Sequence, residues 1–376
     1  MTSKHFVNLG EGILGEPDPN WLWKDQILSL SDDIRKDLFQ GTIKLVAPCI
    51  GQASELKAIK ELSGKYWSNV SANAVIMDKF VCFTNRTRRL YNVNVKWQDL
   101  LKLEGHEMQL LDNSVWLLNP PYNDGTAANN PIYQKFIEKV STAKPRAAVI
   151  IVQANWLMRT DSFSKDIRKN LKRIGVKKIT VNPFDAFPNA QVRTVSILCE
   201  TGYIGDIELV DAVSKKSIQI KDFDELIPFC FDDVKVKLLK RLIPTDSMKL
   251  KSGPVELKNK FLVATAYQNF NIGKDPVGYI RLIEPGKKCT GYKVLEEYDT
   301  KEDAEIGLLQ HRSFWHSRLI TFIMKYRRTS YTLDNPQISW VPIVKVDHEF
   351  NDQELYNMFN LTDEEIATVE EEFGTA

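Results

Sequence analysis

Over roughly the first 200 residues, short apolar runs alternate with stretches whose apolar positions recur every three to four residues. The runs Thr42-Ile43-Lys44-Leu45-Val46, Ala74-Val75-Ile76-Met77, Val115-Trp116-Leu117-Leu118 and Ala147-Ala148-Val149-Ile150-Ile151-Val152 have the length and β-branched content of parallel strands buried on both faces. Ile132, Phe136 and Val140 follow Pro131, a good first-turn residue, and Phe163, Ile167, Leu171 and Ile174 keep a helical spacing up to Gly175. Strand and helix in alternation predict an α/β fold, a doubly wound sheet with ligands held at the carboxyl ends of its strands. Two further strands, Lys178-Ile179-Thr180-Val181 and Val192-Arg193-Thr194-Val195-Ser196-Ile197-Leu198, are joined by a short loop containing Pro and Asn. They are expected to form a terminal hairpin on that sheet.

After Gly202 and Gly205 the texture changes to short strands and turns rich in Lys, such as Ser252-Gly253-Pro254 and Pro285-Gly286, and then to a helix near residues 304–328. A domain boundary is therefore expected near residue 205, dividing the chain into 1–205 and a mixed α+β domain 206–376. A length of 376 residues suits two domains.

Composition narrows the classes. The chain is 43% hydrophobic and 26% charged, which excludes a disordered or fibrous protein. Cys49, Cys82, Cys199, Cys230 and Cys289 are odd in number and never form a CxxC pair, against both a disulfide framework and a zinc knuckle, and they imply a reducing, cytoplasmic setting. Residues 1–10 lack a basic segment followed by an apolar run, and nothing approaches a membrane span of roughly 18 apolar residues. The formal net charge is +1, but it averages two opposite blocks. Residues 235–293 carry 13 Lys+Arg against 4 Asp+Glu, whereas residues 347–376 carry 10 Asp+Glu and no Lys or Arg. Such segregation bears on partners rather than on fold. The acidic end, with apolar spacing at Leu355, Phe359, Leu361 and Ile366, is expected to be helical and to dock on the body. His311 and His316 are five residues apart, off a common helical face, and are read as helix packing rather than a metal site.

The sharpest local feature is Asn119-Pro120-Pro121-Tyr122, directly after a predicted strand. Two prolines fix φ and lack N–H groups, so the backbone leaves the strand along one rigid extended path with outward carbonyls. The Asn119 side-chain oxygen and the Pro120 carbonyl can accept both hydrogen bonds of one planar amino group, while Tyr122 offers a ring face for stacking. Accepting both N–H bonds raises electron density on a nitrogen that conjugation makes a poor nucleophile.

The tetrad resembles the catalytic motif of S-adenosylmethionine-dependent amino-methyltransferases, in particular N6-adenine DNA methyltransferases. Order along the chain, with a C-terminal extra domain, is similar to the gamma class and to methylases of the Eco57I type. The closing stretch, Trp340-Val341-Pro342-Ile343, then Asn351-Asp352-Gln353-Glu354-Leu355-Tyr356 and Leu361-Thr362-Asp363-Glu364-Glu365-Ile366, resembles the end of the latter. The resemblance covers most of residues 40–200 and implies a Rossmann-like class I methyltransferase fold over 1–205, with a DNA target-recognition domain following. It also implies roles. Ala47-Pro48-Cys49-Ile50-Gly51-Gln52-Ala53 looks like the cofactor loop, with Pro48 and Gly51 against the ligand. Asp78 resembles the acid that holds the ribose hydroxyls, and Asp99 the residue that receives the cofactor's adenine amino group. Phe187, in Phe184-Asp185-Ala186-Phe187-Pro188-Asn189-Ala190, resembles the aromatic that packs with Tyr122 around a flipped base. S-adenosyl-L-methionine is the implied cofactor, double-stranded DNA the implied partner, and no metal or cysteine nucleophile is called for.

One departure stands out. The family's loop begins with an acid and carries two glycines, whereas Ala47 and Ala53 occupy the acid and the second glycine here. An Ala methyl would narrow the pocket and resist positive φ, predicting weak cofactor binding or an inactive enzyme. Three alternatives therefore stay open: a methyltransferase acting on RNA adenine, one acting on protein glutamine, and a DNA-binding protein on a degenerate methyltransferase fold. Recognition sequence, restriction, viral or regulatory role, and oligomeric state are not encoded in any motif, and no nuclease motif is recognised.

Overall fold

The computed structural model describes residues 20–374 except 51–52, 78–80, 97, 124–130, 160, 184–185, 188–192, 222–229, 245–247, 253–258, 267–276, 290–291 and 328–337. The chain divides into two units, Met1–Glu225 and Leu226–Ala376.

In the first unit the elements run α1 (Asn20–Leu28), α2 (Asp32–Gln40), β1 (Lys44–Ala47), α3 (Ser54–Ser63), α4 (Trp67–Ala72), β2 (Ala74–Met77), α5 (Val81–Tyr91), β3 (Val95–Lys96), α6 (Gly105–Gln109), β4 (Ser114–Leu118), α7 (Tyr133–Ala143), β5 (Ala147–Gln153), α8 (Ser162–Ile174), β6 (Val176–Val181), β7 (Thr194–Glu200), β8 (Ile207–Asp211) and β9 (Ser217–Ile220). The four continuous apolar runs all become strands. β4 is buried throughout and β5 is buried over all but its last residue, as runs covered on both faces must be. α8 starts on Asp161, whose side chain accepts the Ser164 N–H, and stops at Gly175, where φ of +99° permits the exit.

The nine strands form one sheet in the order β3-β2-β1-β4-β5-β7-β6-β8-β9. β1 to β5 pair in parallel, and β7 runs antiparallel to both β5 and β6. This is the Rossmann-like α/β architecture that the pattern predicted. The chain winds outward from β1 through β2 and β3 on one side, and from β4 through β5 on the other, so the winding reverses between β1 and β4. Such a reversal leaves a crevice at the carboxyl ends of those two strands, since the connections that follow them depart to opposite faces.

Two expectations are corrected. The β6–β7 hairpin is interior rather than terminal: β7 inserts beside β5, and β6 goes on to pair in parallel with β8. The boundary expected near 205 falls at 225/226, because β8 and its antiparallel neighbour β9 belong to the first sheet. The glycines at 202 and 205 mark a turn within the unit.

The second unit contains α9 (Asp233–Leu242), β10 (Lys251–Ser252), β11 (Phe261–Ala266), β12 (Ile280–Ile283), β13 (Tyr292–Tyr298), α10 (Lys301–Trp315), α11 (Arg318–Arg327), α12 (Asp352–Met358) and α13 (Asp363–Glu370). A four-stranded sheet, β10-β13-β11-β12, is antiparallel throughout, so the unit is mixed α+β as expected. The single helix expected near 304–328 is two, broken at His316 and Ser317. No helix among the described residues is long and apolar enough to cross a membrane.

Candidate active site at the carboxyl edge of the first sheet

β1 and β4 are paired neighbours, with Leu45 opposite Val115 and Val46 opposite Trp116, so the segments leaving them start side by side at the reversal of winding. One is the loop from Pro48; the other is Asn119-Pro120-Pro121-Tyr122. Within the tetrad Pro120 is buried, whereas Asn119, Pro121 and Tyr122 are half-buried. Burying the first proline costs nothing in unmade N–H bonds, because it has none to satisfy.

The far end of the tetrad is pinned. The Ile132 N–H donates to the Tyr122 carbonyl at 3.1 Å, and Asn123 forms an isolated antiparallel bridge with Pro131. These two contacts hold residues 122–123 against 131–132 directly ahead of α7. The Tyr122 ring meets the ring of Tyr133, the first residue of α7, edge to face at 6.3 Å, and Tyr133 meets Phe163 on α8 in the same way at 5.3 Å. Tyr133 is 1% exposed, and its hydroxyl donates to Asn155 Oδ1 at 3.2 Å. Burial, helped by Asp161 and opposed by Arg159, pushes the Tyr133 phenol far above its ordinary pKa, so it stays a protonated donor. Asn155 lies on the 3-10 turn directly after β5. The chain Tyr122, Tyr133, Asn155 therefore ties the carboxyl ends of two adjacent strands together.

The predicted cofactor residues are only partly described. Pro48 is buried beside Cys49, which is half-buried, and Ile50, which is 1% exposed. Gly51 and Asp78 lie outside the described residues. Asp99, half-buried after β3, caps a 3-10 turn by accepting the Leu101 N–H at 3.0 Å through Oδ1. That bond fixes the carboxylate and leaves its second oxygen for a ligand donor. Ala53 adopts φ +64°, ψ +35°, the left-handed conformation a glycine would take, and its N–H donates to the Ile50 carbonyl at 2.6 Å. It is 1% exposed and belongs to the core cluster with Ile50 and Leu56. The expectation that its methyl resists positive φ is thus corrected, and that methyl lies among apolar residues of the core.

Phe187 is half-buried and packs on that same cluster. Among the described residues it makes no ring contact. Thr194, at the start of β7, is held by Asn182 at 2.9 Å, which fixes the neck of the segment carrying Phe187. Two residues linked to the tetrad escaped the sequence reading, Tyr133 and Asn155. Tyr133 merely continued the helical pattern, and Asn155 had no motif around it; only the folded sheet brings them to the tetrad.

No family model and no curated protein matches this chain. Among solved structures, the type IIG restriction endonuclease BpuSI is similar at 16% identity, with 52% of this chain and 27% of that one covered and a TM-score of 0.41. The type I restriction-modification methyltransferase subunit from Streptococcus thermophilus shares 16% identity over 55% of this chain and 49% of its own, with a TM-score of 0.42. The M protein of the type I restriction enzyme EcoKI is 13% identical, with 95% and 73% covered and a TM-score of 0.38. The chain spans at most about half of the first two. These likenesses are too distant to assign a role to any residue.

Proposed function

We propose that the first unit is an S-adenosylmethionine-dependent DNA methyltransferase of the class I fold, acting on the N6 amino group of adenine, and that its nearest class is the gamma class of Eco57I-type methylases. The observation that carries this reading is placement: Asn119-Pro120-Pro121-Tyr122 leaves β4 beside the loop that leaves β1, at the point where the winding reverses. A crevice there accepts two ligands side by side. Pro48 and Gly51 would approach the methionine part of the cofactor, Asp78 the ribose, and Asp99 the adenine amino group, each from the carboxyl end of its own strand. The described residues of this set fit that group, since Asp99 keeps one carboxylate oxygen and the loop keeps a glycine-like turn despite Ala53.

S-adenosylmethionine supplies an electrophilic methyl on a sulfonium. The protein's part is orientation and polarisation. A target adenine leaves the duplex at a cost of a few kcal/mol and enters between Tyr122 and Phe187. Asn119 Oδ1 and the Pro120 carbonyl would accept both amino hydrogens and turn the nitrogen lone pair out of conjugation, and the surplus proton of the alkylated nitrogen would pass to water. The 235–293 block in the second unit would bind phosphates, with Phe261, Tyr279 and Tyr292 interleaved among its cations.

The test is to incubate the protein with labelled cofactor and mixed duplex DNA, digest, and assay N6-methyladenine. Label in that nucleoside is expected, and Asn119→Ala should remove it by at least about a hundredfold, the scale of losing one positioned polar group. Cofactor binding without transfer to DNA, but with transfer to RNA or to protein glutamine, would move the substrate and keep the chemistry. Absence of cofactor binding in calorimetry would favour a DNA-binding protein on this fold.

A further inference from the structure

Resting on that reading, we infer that Asn155 is a further substrate-binding residue, whose side-chain N–H groups donate to a ring nitrogen of the target base while Asn119 and Pro120 hold its amino group. Three observations converge. Asn155 stands at the carboxyl end of β5, the strand paired with β4, and so at the same edge of the sheet as the tetrad. Its Oδ1 is occupied by the Tyr133 hydroxyl at 3.2 Å. Tyr133 is itself fixed by burial and by edge contacts to Tyr122 and Phe163.

An amide whose oxygen is taken this way has one orientation left, with both N–H donors pointing away from Tyr133. Among the described residues nothing accepts from Asn155 Nδ2, and the side chain is only half-buried, so those donors face a region a ligand can enter. In the proposed pose the tetrad meets the amino group with acceptors, Asn119 Oδ1 and the Pro120 carbonyl. A conjugated amine of the adenine type is a donor flanked by ring acceptors, so complementary recognition needs one donor close to the Asn119 and Pro120 acceptors. Asn155 offers an oriented donor at this edge. The same logic gives selectivity: a base with a carbonyl in place of the amine would set oxygen against oxygen at Asn119.

The experiment is a chemical double-mutant cycle. The parent and Asn155→Ala are assayed on duplexes carrying the methylated site with adenine, 1-deazaadenine or 7-deazaadenine at the target position. Asn155→Ala should lower kcat/KM on adenine about tenfold, the worth of one neutral hydrogen bond made in a buried site. One of the two deaza substitutions should cost the parent a similar factor and cost Asn155→Ala nothing more, which identifies the ring nitrogen as N1 or N7. Tyr133→Phe, which keeps the ring and removes only the hydroxyl, should show the same signature more weakly. Cofactor affinity should stay within twofold for both variants, separating this role from damage to the fold. If Asn155→Ala matches the parent, or loses the same factor on all three duplexes, the inference is overturned while the methyltransferase reading stands. If the parent methylates no duplex, the reading falls and the inference falls with it.

Discussion

Ala53 holds φ +64° with 1% of its surface exposed, an unusual position for a residue with a Cβ. The left-handed conformation costs about 1–2 kcal/mol for an L-residue. Its buried methyl returns about 0.8 kcal/mol, and a glycine would add backbone entropy to the unfolded chain worth about 0.5–1 kcal/mol. These nearly cancel, so Ala53→Gly is expected to leave stability within about 1 kcal/mol, read by urea denaturation. Because the methyl packs in the core, cofactor affinity should also stay within about twofold by calorimetry. A tenfold rise would show that the methyl obstructs the ligand after all. The sequence shows that Ala stands where Gly is usual in the resembled family, but not which side of the loop the methyl falls on.

At the scale of elements, the acidic end is held by specific pairs. Asn351 with Glu354 and Thr362 with Glu365 form reciprocal capping boxes that start α12 and α13. The helices then dock through Leu355, Tyr356 and Val369, all buried. Of the apolar positions named from the sequence, Leu355 is buried, whereas Phe359, Leu361 and Ile366 are only half-buried. Arg241 on α9 grips Glu365 with two nitrogens at 2.6 and 2.9 Å, and Arg318 on α11 pairs with Glu370. Glu372 receives Lys235, Lys325 and the Tyr326 hydroxyl, the last at 2.6 Å. Burial alone would raise the Glu372 pKa, but these three donors outweigh it and hold the carboxyl down at about 2. A depressed acid stabilises the fold above its unfolded pKa and loses that contribution as pH falls through the folded one. Glu372→Gln should therefore weaken tail docking by about 2–3 kcal/mol at pH 7, seen as faster amide exchange in α13. The difference between parent and variant should close between roughly pH 4.5 and 2. A gap that persists at pH 2 would assign the effect to packing rather than charge.

At the scale of the whole molecule, the basic block is smaller than its count. Lys235 and Arg241 spend their charge on the acidic end, whereas Lys287 and Lys288, in the turn between β12 and β13, are exposed with no carboxylate in ion-pair range among the described residues. If duplex DNA binds this unit, its salt dependence counts only cations that give up counterions. Replacing Lys287 and Lys288 by Ala should reduce the slope of log K against log salt by about 1–2, whereas Arg241→Ala should lower stability and leave the slope unchanged. Equal slopes in all three proteins would place the phosphates elsewhere.

Strand and helix identities, the Rossmann-like class and the departure of the tetrad directly after β4 were legible in the residues alone, because buried parallel strands are continuous apolar runs and two prolines after a strand admit few paths. The insertion of β7 between β5 and β6, the adherence of β8 and β9 to the first sheet, and the meeting of Tyr122 with Tyr133 and Asn155 were not. The reason is physical. Local pattern determines how a segment pairs its own backbone and which face it buries, whereas strand order and the approach of side chains distant in sequence are properties of the assembled sheet, decided only when every apolar face has found its cover.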